Sequence, residues 1–304
     1  MRICSLLPSA TEIIYSLRLG DQLVAVTHEC DFPAGATRLP RITRSSIDHS
    51  GSSSRQIHTH ITQALHRGSS IYELDQELLK ELDPDLILTQ ELCDVCAVSY
   101  GAVQEAVRVL DGERKILSLE PTSLGDILQT IQQVGQFTGV PEQAARLVEE
   151  LQKRIDHVRT IAASASRQPR VFAMEWLDPP FVAGHWVPEM VHLAGGRHGL
   201  GRRGSPSLTV SWDQITDCSP EIMVLMPCGF DLDRTIKEVD RVGFPQEWHR
   251  LEAVRSGEIY AVDGSAYFNR PGPRIVDGLE ILAEIIQPQL FPRQSPPESW
   301  QRLE

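Results

Sequence analysis

The chain has 304 residues, 41% of them hydrophobic and 23% charged, with a formal net charge of -12. That length suits two lobes of roughly 100–150 residues better than a single core. The acidity excludes the clustered basic surface of a nucleic-acid-binding protein, and no stretch reaches the ~18 consecutive apolar residues of a membrane helix, so no membrane insertion is expected.

In chain order, Arg2–Leu7 is short and apolar and predicts a first strand. Ser9 stands three residues before Glu12, the spacing of a capping box. Ile13, Ile14 and Leu17 follow at helical spacing up to Gly20. Gln22–Thr27 predicts a second strand, ending in His28-Glu29-Cys30-Asp31-Phe32-Pro33. The Ser-rich run from Arg44 to Arg55 predicts a mobile loop, and Tyr72–Leu82 a helix. Asp83-Pro84 breaks that helix, and Asp85–Thr89 predicts a buried strand leading to Glu91, Cys93 and Cys96 and then a helix through Val109. Lys115–Leu119 is a further strand. Two helices follow, with Leu124, Ile127, Leu128, Ile131 and Val134 on one face, then Leu147, Val148, Leu151, Ile155 and Val158 after Pro141. The second spans about 33 Å if helical over 141–163.

Beyond Pro169 the pattern loosely repeats. Arg170–Met174 predicts a strand, a helix starts near Pro188, and Gly195-Gly196 stops it. Asp83-Pro84-Asp85-Leu86-Ile87-Leu88 has a counterpart in Ser219-Pro220-Glu221-Ile222-Met223-Val224. Each is a helix end, a proline, an acid and a buried strand, followed by a cysteine-bearing loop. Two similarly wound α/β lobes are the expectation. Val239–Val254 is expected to be largely helical, Ile259–Val262 a strand, Ile275–Ile286 a helix, and the Pro-rich tail from Pro288 loose. The lobes are placed at 1–122 and 169–304, with linking helices over 123–168.

The segments Leu6-Leu7-Pro8-Ser9-Ala10-Thr11-Glu12-Ile13, Pro84-Asp85-Leu86-Ile87-Leu88 and Pro220-Glu221-Ile222-Met223-Val224, with the long linking helix, resemble the helical-backbone (class III) substrate-binding proteins of ABC importers. The branch they resemble is the cobalamin-binding one, over about residues 1 to 288. The resemblance implies two α/β lobes with mainly parallel sheets, joined by one long helix, and a ligand cleft between them. It implies a non-enzymatic binder of a corrinoid or other metal chelate, with an importer permease as partner. It also implies only modest lobe closure, because the linking helix is stiff. Met1–Leu7 lacks the regions of a signal peptide. As written the chain is expected in the cytoplasm, and in the periplasm or outside the cell if the start is misassigned or the form is mature.

In open α/β sheets, ligands sit beyond the carboxyl ends of the strands. The candidate ligand-binding residues in such loops are Ser9, Thr11, His28, Glu29 and Glu91 in the first half. In the second they are Glu175, Trp176, Phe181, His185, Trp186, Phe230, Tyr267, Phe268 and Arg270. His28 and His185 are candidate axial ligands to a corrinoid cobalt or haem iron, or hydrogen-bond partners of a ligand carboxamide. Arg270 can meet an anionic group, or the prolines around it can simply make a rigid turn. His49, His58, His60 and His66 lie in a polar stretch and are either solvated or weakly chelating. Trp212 and Trp248 are expected to be packing residues.

Four of the six cysteines, Cys30, Cys93, Cys96 and Cys228, also fall in these loops. Thiolates suit Zn, Fe or an iron–sulfur cluster, which makes a cytosolic metal-binding relative the alternative function. Cys93 could instead be a redox thiol near a helix start, or all four could be small buried hydrophobes, as Cys4 and Cys218 are expected to be. Glu91, Glu175 and Asp178 could act as paired carboxylates, but no nucleophile elbow, P-loop or zincin motif accompanies them. The Gly-rich run at 195–201 follows no strand directly, so it is a helix stop and not a dinucleotide loop.

Overall fold

The computed structural model describes residues 1–45, 51–66, 71–90 and 114–303. They form two compact units. One comprises residues 1–52, 56–121 and 125–149, and the other 53–55, 122–124 and 150–304.

In the first unit, β1 (Ile3–Ser5), β2 (Leu23–Ala25), β5 (Leu86–Thr89) and β6 (Lys115–Ser118) form a parallel sheet in the order β2-β1-β5-β6. β3 (Thr43–Ser45) and β4 (Tyr72–Leu74) pair antiparallel beside it. All four residues of β5 are buried, as a parallel strand covered on both faces requires. Cys4, Leu6, Ala25, Ile42, Leu79 and Ile87 pack together as its core.

In the second unit, β7 (Arg170–Trp176) is central. The order is β10-β8-β7-β11-β12-β13, with β9 (Arg197–His198) also on β7. β8 is Phe181–Val182, β10 Leu208–Thr209, β11 Ile222–Leu225, β12 Ile259–Val262 and β13 Trp300–Leu303. Phe172, Met174, Met223 and Leu225 supply the core on one face. Trp212, Phe244 and Trp248 pack against it, with Phe244 stacked on Trp248 at 4.0 Å and Trp212 edge-on to both, so the two tryptophans are packing residues as expected.

Helices α1 (Pro8–Ser16), α2 (Ser54–His66) and α3 (Gln76–Leu82) are interleaved with the strands of the first half, and α4 (Leu124–Phe137) and α5 (Pro141–Ala162) follow β6 in succession. The apolar faces expected for α4 and α5 are the buried ones: Ile127, Ile131 and Val134 in the first, Leu151, Ile155 and Val158 in the second.

Several local expectations are corrected. Ser9 and Glu12 form no capping box. The helix starts at Pro8, whose fixed φ suits a first turn, so both residues lie inside it and are buried. Tyr72–Leu82 is not one helix. Asp75 ends the strand and caps α3 by accepting from Leu78 N, so polar capping overrides the apolar run. The Ser-rich segment contributes β3 and the start of α2, while residues 46–50 lie outside the described residues. The helical stretch near 239–254 is three pieces, Leu232–Arg241, Gln246–Arg250 and Glu252–Arg255, broken around Pro245 and Leu251. The tail is not loose. β13 pairs antiparallel with β12, and the buried Glu284 accepts from Gln294 N, Ser295 N, Ser295 Oγ and Trp300 Nε1.

The repeat around the two prolines is structural. Asp83 and Ser219 both end a helix in left-handed backbone, at φ 39° and 45°. Asp85 then accepts from Arg2 N at 2.7 Å, and Glu221 accepts from Arg170 N at 2.9 Å. Arg2 Nε donates to Leu82 O and Arg170 Nε to Ser219 O. Each unit thus clips the first arginine of one strand to the acid that opens its parallel neighbour.

Candidate functional site

In the second unit, β7, β11 and β12 run parallel, so their carboxyl ends bring three loops to one rim of the sheet. The loops are laced together through the main chain. Cys228 N donates to Glu175 O at 3.1 Å and Ser265 N to Phe230 O at 3.0 Å. Asp263 caps the short helix Gly264–Tyr267 by accepting from Ala266 N, so the segment after β12 that carries Tyr267 is partly helical. Gly264 is required there, because a Cβ would stand 2.5 Å from Pro227 O.

On this rim Trp176 and Phe230 meet at 5.4 Å between ring centroids, and the Arg234 guanidinium lies 4.6 Å over Phe230. Trp176 Nε1 donates to Ser54 O, which packs within the same unit. Glu175 Oε2 accepts from Ser207 Oγ at 2.7 Å, and Ser207 Oγ accepts from Gly184 N at 3.0 Å. Burial pushes the Glu175 carboxyl above its ordinary range, and the hydrogen bonds from Ser207 and Gly184 only partly oppose this.

His185 follows Gly184 with φ at 50°, a strained conformation for a residue with a Cβ. Its N–H donates to Ser205 O at 2.6 Å and its carbonyl accepts from Gly204 N at 2.9 Å, which holds the strain. Burial lowers its pKa, which favours the neutral imidazole. Trp186 Nε1 donates to Phe268 O at 2.8 Å, and both side chains are buried. Phe181 and Tyr267 are half-buried. The ring of Tyr267 lies under the Arg274 guanidinium, and burial raises its pKa. Arg270 is buried. This unit therefore gathers Glu175, Trp176, Phe230 and the Cys228 loop on one rim. Trp186 and Phe268 are packed into its interior.

In the first unit, Thr11 Oγ1 donates to Ser5 Oγ at 2.8 Å and lies 3.1 Å from Cys30 Sγ, which is also 3.2 Å from Thr27 Oγ1. Ser9, Thr11 and Cys30 are all buried. The contacts of Thr11 and Cys30 tie α1 to β1 and to the segment after β2 from within. His28 Nδ1 is 2.8 Å from Thr43 Oγ1, and its Nε2 is 3.3 Å from Glu29 Oε1. Phe32 next to them is 45% exposed, a large apolar surface residue that was not among the candidates. Glu91, Cys93 and Cys96 lie outside the described residues.

Cys4, Cys30, Cys218 and Cys228 are present as thiols, not as disulfides. Among the described residues, no group of three or more His, Cys, Asp or Glu side chains is poised to hold a metal ion. Ser207 is a partner of Glu175 that the sequence did not offer. It sits 32 residues from Glu175, and no local pattern links them.

The periplasmic binding protein family model matches residues 3–266. The vitamin B12-binding protein of Vibrio cholerae is 26% identical over 283 residues, covering 92% of this chain and 86% of that protein. An uncharacterized ABC transporter substrate-binding lipoprotein of Bacillus subtilis is 25% identical over 297 residues, covering 95% and 81%. Among solved structures, a periplasmic haem-binding protein of Pseudomonas aeruginosa superposes with a TM-score of 0.74 at 18% identity, covering 100% and 99% of the two chains. The parallel sheets, the long α5 and this match over most of the length agree: the chain belongs to the periplasmic binding protein family.

Proposed function

We propose that the chain is the non-enzymatic substrate-binding component of an ABC importer and that its ligand is a corrinoid. The observation that carries this is the match across nine-tenths of the chain to proteins named as vitamin B12-binding. The rim of the second unit supports it. The Trp176–Phe230 pair offers an aromatic wall, and the buried Glu175 carboxyl can exchange hydrogen bonds with ligand carboxamides. His185 is the imidazole offered to the metal of the chelate. An importer permease is the partner, and the place of action is outside the cytoplasmic membrane.

Calorimetric titration of the purified chain with hydroxocobalamin tests the reading, with haemin in parallel. Saturable one-to-one corrinoid binding is expected, weakened roughly tenfold in Trp176→Ala, the scale of an aromatic hot spot. No saturable binding of any corrinoid overturns it, and tight binding of haemin alone moves the ligand to the haem class. Bound hydroxocobalamin should show a shifted absorption spectrum that His185→Ala abolishes if the imidazole takes the axial position.

A further inference from the structure

The opposite rim of the second unit's sheet, at the amino ends of β7, β9 and β11, carries a feature the importer reading does not use. A cavity of about 540 Å³ opens there, lined by Arg167, Gln168, Arg170, Arg197 and Glu221 among others. Three guanidiniums face one carboxylate in a chain whose net charge is -12.

Arg170 and Arg197 are register partners on adjacent parallel strands, so two like charges stand side by side. Such a pair is destabilising unless something else answers it. Glu221 answers part: its Oε1 accepts from Arg167 Nη2 at 2.6 Å, and its Oε2 accepts from Arg170 N at 2.9 Å and lies 3.1 Å from Arg170 Nη1. Arg170 also reaches Glu252 at 3.2 Å. Arg197 donates Nε to Gln168 O at 3.3 Å and has no ion pair among the described residues. The clip between Arg170 and Glu221 is architectural, because Arg2 and Asp85 repeat it in the first unit. Arg167 and Arg197 are additions to it.

The backbone under both additions is held in place. The buried Gln287 donates Nε2 to Arg167 O and to Gly195 O, each at 2.9 Å. Gly195, at φ 83°, makes the turn that delivers Arg197 to its strand. One side-chain amide therefore fixes the two arginine-bearing segments relative to each other, the preorganisation that lowers the cost of binding.

We propose that this cavity binds a small free oxyanion of the phosphate class, with Arg197 and Arg167 as its forked donors. The test is calorimetric titration of the full chain with inorganic phosphate at low ionic strength, against matched chloride. A saturable single site is expected. Arg197→Gln should weaken it at least about tenfold, the scale of one lost charged hydrogen bond, and Arg167→Gln should weaken it in the same direction. Without phosphate, Arg197→Gln should melt at or above the parent temperature, because the repulsion with Arg170 is gone. Trp176→Ala should leave phosphate binding unchanged, separating this site from the corrinoid rim. No saturable phosphate heat beyond chloride, or unchanged affinity in both arginine variants, overturns the proposal.

Discussion

His198 illustrates how one side chain can set an acid limit. The residue as a whole is half-buried, yet both ring nitrogens are sealed from solvent without a hydrogen-bond partner among the described residues, and burial pushes the pKa down to about 4. The folded state therefore favours neutral imidazole. Its contribution is complete above the unfolded value near 6.5 and is lost as pH falls toward 4, by about 3 kcal/mol in all. Urea denaturation at several pH values should show this loss in the parent protein and its absence in His198→Leu. Glu175 has the opposite sign. Burial raises its pKa, so stability is full below the unfolded value of about 4.3 and declines as pH rises through the folded value. The melting temperature of Glu175→Gln relative to the parent should accordingly be higher at pH 7 than at pH 4. Gly264→Ala brings a Cβ to 2.5 Å from Pro227 O and 2.8 Å from Asn269 Oδ1, and is expected to cost roughly 1–3 kcal/mol by denaturant unfolding.

At the scale of elements, the strands and long helices follow from periodicity, and the short polar devices do not. Ile259–Val262 and Ile275–Ile286 are legible to the residue, because an apolar run of four residues suits a strand and one of twelve suits a helix. The role of Asp75 is not legible in the sequence, because one capping carboxylate decides whether Tyr72–Leu74 continues a helix or ends a strand. The order of the tail is hidden for another reason. Prolines discourage regular structure locally, but β13 is formed by its partner β12 and by the anchoring of Trp300 on Glu284, which lie far back in the chain. Truncation before Trp300 should expose the β12 edge and remove that anchor. An expected loss of roughly 2 kcal/mol would be seen as a lower urea midpoint.

For the whole molecule, the ligand and the stability are linked. A corrinoid that binds only the folded chain should raise unfolding stability by about 2.7 kcal/mol at a free concentration of 100 Kd. Scanning calorimetry across a ligand series checks this, and a melting temperature independent of corrinoid would contradict the binding proposal. By itself the sequence determined the two α/β halves and their internal repeat, because these rest on local periodicity and on short apolar motifs that each strand carries within itself, and the same motifs carried the resemblance to the family. Only the tertiary structure decided that Thr11 and Cys30 face inward, that Ser207 serves Glu175 and that Arg170 stands beside Arg197. Those are pairings between residues tens of positions apart, and they depend on strand register and side-chain direction, which local patterns do not encode.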